Sequence, residues 1–383
     1  LTLIAAPRVI PAVPGQAVLE PGYVAVDGGR ITEVGAGPPP DDPDIRLAEG
    51  VLVPGLVDLQ VNGYYGTDLA DCDPVGWATV VRRLPETGTT AFLPTFITAP
   101  VAELAASLRS AENIAAGAPK GARILGVHLE GPFLSPARPG AHRRDWMVPP
   151  SAAAVAALLA AGQGVLRLVT LAPEADGGLA AVAALVAAGV VVSVGHSDAT
   201  AQQVACAAAA GARMVTHLFN AQRGLHHREP GVVGQALTDP RLTSGLIVDL
   251  SHVAAAACAI AFAAAPGRIC LVTDAAACAG MPPGRYLLGG DAVELPPDGG
   301  APVRPDGTLA GSALRMDLAL ANAVGVGLGL AEAVAAASRI PADLIGRPDL
   351  GRLAPGAAAD LAWLGDDLRT IATWVSGEPV YAG

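Results

Sequence analysis

The 383-residue sequence predicts an α/β protein, a (β/α)8 TIM-like barrel with a small β-sandwich domain built from both chain ends. Three observations carry this. From Val51 onward, short apolar runs alternate with alanine-rich helical segments, the pattern of parallel βα units. The runs number eight, the count that closes such a barrel. Both chain ends consist instead of short β-branched or aromatic runs broken by turn formers.

Residues 1–50 form the first part of the small domain. LTLIAAPRVI and YVAVDGGRITEV read as strands, with Asp27-Gly28-Gly29 as a hairpin signal. Residues 51–352 make the barrel, whose strand runs are 51–61, 89–96, 123–130, 165–171, 189–196, 212–218, 244–250 and 268–274. Helical segments follow most of them: VAELAASLRSAENIAAG, SAAAVAALLAAG, ATAQQVACAAAAG and HVAAAACAIAFAAA. Between Pro282 and Gly311 the pattern loosens into what reads as a hairpin inserted before the final helices. Residues 353–383, with ADLAWLG and IATWVSGEPVY, complete the sandwich.

Composition narrows the function. A formal charge of −11, with no basic block of five or six residues, argues against a nucleic-acid partner. The longest apolar run, from Val253, meets a proline well short of the ~20 residues a membrane span requires, so no membrane partner is expected. No basic region followed by an apolar segment marks a signal peptide, and the expected location is cytoplasmic. Cys72, Cys206, Cys258, Cys270 and Cys278 lack CxxC spacing and read as reduced core residues.

Barrels of this kind carry their chemistry at the C-terminal ends of the strands. Glu130, His196, His217 and Asp274 each end, or nearly end, a predicted strand. Two imidazoles and one carboxylate suit a divalent metal that keeps a position open for water. Asp274, followed by weak helical signal, suits proton transfer better than an N-cap. Where two-metal barrels of this type carry HxH on strand one, this chain reads Gln60-Val61-Asn62, and its single lysine, Lys120, precedes strand three. Gln60 and Asn62 therefore look like the remnant of a second metal site, and one metal is expected: zinc first, with iron, manganese and cobalt open. His128 reads as a buried hydrogen-bonding partner. Asp198 reads as a helix cap or as support for a neighbouring side chain.

PGLVDLQVNGYYG, HLEGPFLSPARPGAH, VGHSDAT, THLFNA with HHREPG, LVTDA and GTLAGSAL resemble, in order, the motifs of N-acetylglucosamine-6-phosphate deacetylases of the amidohydrolase superfamily. The resemblance spans residues 51 to about 360 and implies metal-dependent hydrolysis of the acetamide of N-acetyl-D-glucosamine 6-phosphate. It implies a metal on Glu130, His196 and His217, with Asp274 as proton carrier and His142 polarising the acetamide carbonyl. Ala141, Asn220, Ala221, His252, Leu309, Ala310 and Gly311 then contact the sugar. Arg228 of HHREPG meets the phosphate from a neighbouring subunit, which implies a homodimer. The rival readings are a cyclic amidase or deaminase on the same barrel, or a non-catalytic scaffold.

Overall fold

The computed structural model describes residues 1–383. Eight parallel strands form the barrel: β1 (Leu56–Val61), β2 (Thr89–Ile97), β3 (Val127–Glu130), β4 (Leu166–Leu171), β5 (Val191–Val194), β6 (Met214–Val215), β7 (Thr243–Leu246) and β8 (Ile269–Leu271). Each pairs with the next in chain order. The ring closes through a parallel bridge between Val61 and Ala275, just beyond the end of β8. The strands read as continuous apolar runs because helices cover their outer faces. Every residue of β1 is buried.

The helices follow their sequence signals. Ala152–Ala161 is capped by Ser151 and buries Val155, Leu158 and Ala161, one helical face. Ala201–Ala209 opens with a full capping box between Thr200 and Gln203. The hairpin is present as Gly284–Leu288 paired antiparallel with Asp291–Leu295. No helix is long and apolar enough to cross a membrane. All five cysteines are free, three of them buried.

The run from Val51 to Val61 is two strands. It divides at Gly55, where an added Cβ would strike the Thr90 side chain at 2.1 Å. Leu56–Val61 enters the barrel, whereas Val51–Pro54 pairs antiparallel with Leu361–Leu364 in a sheet that continues through Thr370–Val375 and Glu378–Ala382. A second four-stranded sheet orders Arg30–Ala36, Gly22–Asp27, Thr2–Ala6 and Ile45–Arg46. The two sheets share one core, including Ile4, Val24 and Ile31 from the N-terminal segment and Leu361 and Trp374 from the C-terminal one.

A bidentate ion pair ties the barrel to the sandwich. Arg123, in the short strand beside β2, donates from Nε and Nη2 to both carboxylate oxygens of Asp360 at 2.9 and 3.0 Å. Asp360 is 2% exposed, so removing Arg123 leaves a buried charge with only the Ser376 N–H as a donor from its own sheet. Arg123→Met should therefore destabilise the protein by about 3 kcal/mol, read as a lowered midpoint in thermal or denaturant unfolding.

Candidate active site

The C-terminal ends of the strands open into a cavity of about 370 Å³. β3 delivers Glu130 to its floor, 2% exposed. The residues after β5 and β6 deliver His196 and His217 with φ of 46° and 26°, left-handed values that bulky residues rarely adopt and that concentrate at functional sites. Glu130 Oε1 lies 2.8 Å from His217 Nε2 and 3.2 Å from His196 Nε2, and the two Nε2 atoms are 3.1 Å apart.

Three donor atoms thus converge on one point. A tetrahedral ion with bonds of ~2.0–2.1 Å would separate its ligand atoms by ~3.3 Å, close to these spacings. The donor set also fits electronically. His196 Nδ1 is 3.1 Å from the Arg138 carbonyl, which can only accept, so Nδ1 carries the proton and Nε2 presents its lone pair. Burial penalises the Glu130 charge, yet its contacts with His142, His196 and His217 outweigh it and hold the carboxyl well below its usual range. Burial, with His142 nearby, pushes His196 down to about 4 and so keeps it neutral.

His142 also belongs to a cluster of ligand atoms with Glu130 and His196, all within 4.8 Å of one another. Its Nε2 is 3.6 Å from Glu130 Oε2. The Thr98 backbone N–H, a fixed donor, points at His142 Nδ1 at 3.2 Å, so the ring proton sits on Nε2. Tautomer therefore separates the roles: His142 offers a hydrogen-bond donor to the cavity where His196 offers a lone pair.

Asp274 follows β8 with φ of 52°. No helix follows it directly, so it caps nothing. Its Oδ1 accepts from Gln60 Nε2 at 3.0 Å and Asn62 Nδ2 at 2.7 Å, and Gln60 Nε2 also donates to Glu130 Oε1 at 3.1 Å. Burial, then the Glu130 charge, raises the Asp274 carboxyl to about 6. The Gln60 and Asn62 amide oxygens have no partner. Lys120 lies far from all this, 83% exposed and 3.6 Å from Glu378 of the sandwich.

Of the other predicted residues, Ala141, His142, Asn220, Ala221, His252, Leu309 and Gly311 line the cavity together with Asn62. Ala310 does not; it is fully buried behind the wall with Ala276, Leu288 and Val293. Arg228 is exposed and lies outside the cavity of its own chain, as do His226 and His227. His128 is buried, donating from Nδ1 to the Leu59 carbonyl and pairing Nε2 with Thr170 Oγ1 at 2.8 Å.

Several participants gave no sequence signal. Thr98 fixes the His142 tautomer from the end of β2. Asp249 holds His252 Nδ1 at 2.6 Å and also accepts from the His252 N–H. Arg138 lines the cavity and supplies the carbonyl that orients His196. The DxxH spacing of Asp249 and His252, which lets a side chain reach back three residues, was the one cue available in the sequence.

The barrel with its metal-ligand cluster defines a class, and comparison agrees. Residues 51–380 match the model of the amidohydrolase family, and the chain belongs to that family. Within it, the relatives are deacetylases of phosphorylated amino sugars. The N-acetylgalactosamine-6-phosphate deacetylase of Escherichia coli O157:H7 is 39% identical over 88% of this chain and 94% of its own. The human N-acetylglucosamine-6-phosphate deacetylase is 39% identical over 86% of this chain and 83% of its own. The crystal structure of N-acetyl-D-glucosamine-6-phosphate deacetylase from Mycobacterium smegmatis superposes with a TM-score of 0.93 at 38% identity, covering all of both chains.

Gly140 offers a direct check on the site's tolerance. Its φ is +53°, and an added Cβ would lie 2.9 Å from His196 Cε1. Gly140→Ala should displace the His196 ring and weaken retention of a divalent ion by roughly tenfold, measured as metal content after dialysis against a competing chelator.

Proposed function

We propose that the protein hydrolyses the acetamide of N-acetyl-D-glucosamine 6-phosphate to glucosamine 6-phosphate and acetate, as one copy of a homodimer. The observation that carries this reading is the convergence of Glu130, His196 and His217 beneath two groups suited to amide hydrolysis, Asp274 and His142. A divalent ion on Glu130, His196 and His217, zinc before iron, manganese or cobalt, would supply Lewis acidity and make a water nucleophilic near neutral pH.

The chain's own residues do the rest. Asp274 Oδ1 is engaged by two amide donors, so Oδ2 is the atom that takes a proton from the attacking water. His142 Nε2–H donates to the acetamide oxygen as negative charge develops there. Asp274 Oδ2 then returns its proton to the amine nitrogen as the C–N bond breaks, leaving acetate and the free amine. Asn220, Ala221, His252 and the Leu309–Gly311 segment bound the space for the sugar. Arg228, exposed in the 224–230 segment, would serve a partner's cavity, where guanidinium suits paired phosphate oxygens.

Acetate release from N-acetylglucosamine 6-phosphate against N-acetylglucosamine, with metal-loaded protein, tests the reading. Strong preference for the phosphorylated sugar is expected; no turnover of either would overturn it, and turnover of a neutral cyclic amide instead would favour the rival. Asp274→Asn, which cannot carry the proton, should lose roughly a thousandfold or more in kcat. The base must be ionised, so kcat/KM should fall as pH drops, with the limb at or below about 6 because a bound cation favours the charged carboxylate. The dimer is tested by mixing Asp274→Asn with Arg228→Ala chains. If Arg228 acts across the interface, each mixed dimer regains one intact site and the mixture recovers about a quarter of wild-type activity.

A further inference from the structure

Asp198 lies two residues beyond His196 and is left without the helix-capping role that its position in GHSDAT suggested. Thr200 caps the following helix, with Gln203 closing the box. The Asp198 carboxylate is instead divided between two arginines from different loops. Oδ1 accepts from Arg138 Nε at 2.9 Å, with Nη2 at the same distance, and Oδ2 accepts from Arg223 Nη2 at 2.6 Å. Asp198 is itself anchored, because Glu174, from the loop after β4, accepts from its N–H at 2.6 Å and from Ser197 Oγ at 2.7 Å.

The two loops are those that bound the cavity. The 131–142 loop carries Ala141 and His142, and rests on the His196 ring through Gly140 and the Arg138 carbonyl. The 217–228 loop carries Asn220 and Ala221, and exchanges main-chain bonds with Ser197 through Ala221 and Arg223. One carboxylate therefore ties both loops to the end of β5. All three side chains are roughly 30–40% exposed, a setting in which ion pairs contribute little to global stability.

We propose that Asp198 is a positioning residue that, through Arg138 and Arg223, fixes the separation of the two substrate-contacting loops and so sets substrate affinity. This rests on the deacetylase reading, which wild-type turnover of the phosphorylated sugar tests by itself. Three metal-loaded variants, Asp198→Asn, Arg138→Met and Arg223→Met, are compared with wild type by hydrogen exchange of the two loops and by steady-state kinetics. Asp198→Asn should speed exchange in both loops, Arg138→Met chiefly in the first and Arg223→Met chiefly in the second. Asp198→Asn should raise KM by roughly five- to tenfold with kcat within about twofold, metal content unchanged and Tm within about 2 °C. Unchanged exchange in both loops, or an unchanged KM, would overturn the proposal. A fall in kcat together with lost metal would overturn it too, by placing Asp198 in support of His196 alone. Because the exchange measurement needs no turnover, it reads the loops even if the wild-type substrate proves to be another amide.

Discussion

The site depends on a carboxylate buried among more donors than it can satisfy as an ordinary ion pair. Glu130 is engaged by His196, His217, Gln60 and, at longer range, His142. Placing a charge there costs free energy unless it is compensated, and the protein compensates it with nitrogen atoms fixed by three different strands. The consequence reaches one group further. Although burial opposes protonation of His217, its bond to Glu130 prevails and raises its pKa. A divalent cation held by Glu130, His196 and His217 would satisfy the same carboxylate and would compete with protonation of His217, coupling metal binding to proton release.

That arrangement is held from below by a polar layer in an otherwise apolar barrel. Thr216, one residue before His217, shares its hydroxyl with Ser193 at 2.6 Å and Thr170 at 2.7 Å, and Thr170 in turn meets His128. Burial lowers His128 to about 4, so it stays neutral and adds no charge beneath Glu130, His196 and His217. The layer couples β3, β4, β5 and β6 through side chains where their main-chain ladders are short. The strand ends that carry Glu130, His196 and His217 cannot shift independently of one another.

This explains which parts were readable from sequence. Strand ends are legible because apolar runs stop where a polar residue enters the barrel mouth, and Glu130, His196, His217 and Asp274 all mark such stops. The division of 51–61 was not legible. Val51–Pro54 and Leu56–Val61 are equally apolar, since Val51 and Val53 share the barrel core with the second strand while Leu52 turns into the sandwich core, and only Gly55 hints at the break between them. Supporting residues were equally silent. Thr98, Glu174, Arg138 and Asp360 act through partners 24 to 237 positions away, and no local periodicity records such pairings.

The seam between β1 and β8 shows how an amide pair is held against Asp274. β8 ends at Leu271, and closure is taken over by irregular contacts. The Asp58 carboxylate receives Thr273 Oγ1 at 2.5 Å and the Gln60 N–H at 3.1 Å, while Asp274 N–H reaches the Gln60 carbonyl at 2.9 Å. This fixes Gln60, Asn62 and Asp274 as a unit. The Gln60 and Asn62 amides both direct N–H donors at Asp274 Oδ1 and so stabilise its charge. Burial and the Glu130 charge raise Asp274, and the His217 charge and then the Asn62 bond oppose them, so the carboxyl stays low enough to be ionised near neutral pH yet high enough to accept a proton. The amide pair at 60 and 62 thus helps set the ionisation of Asp274.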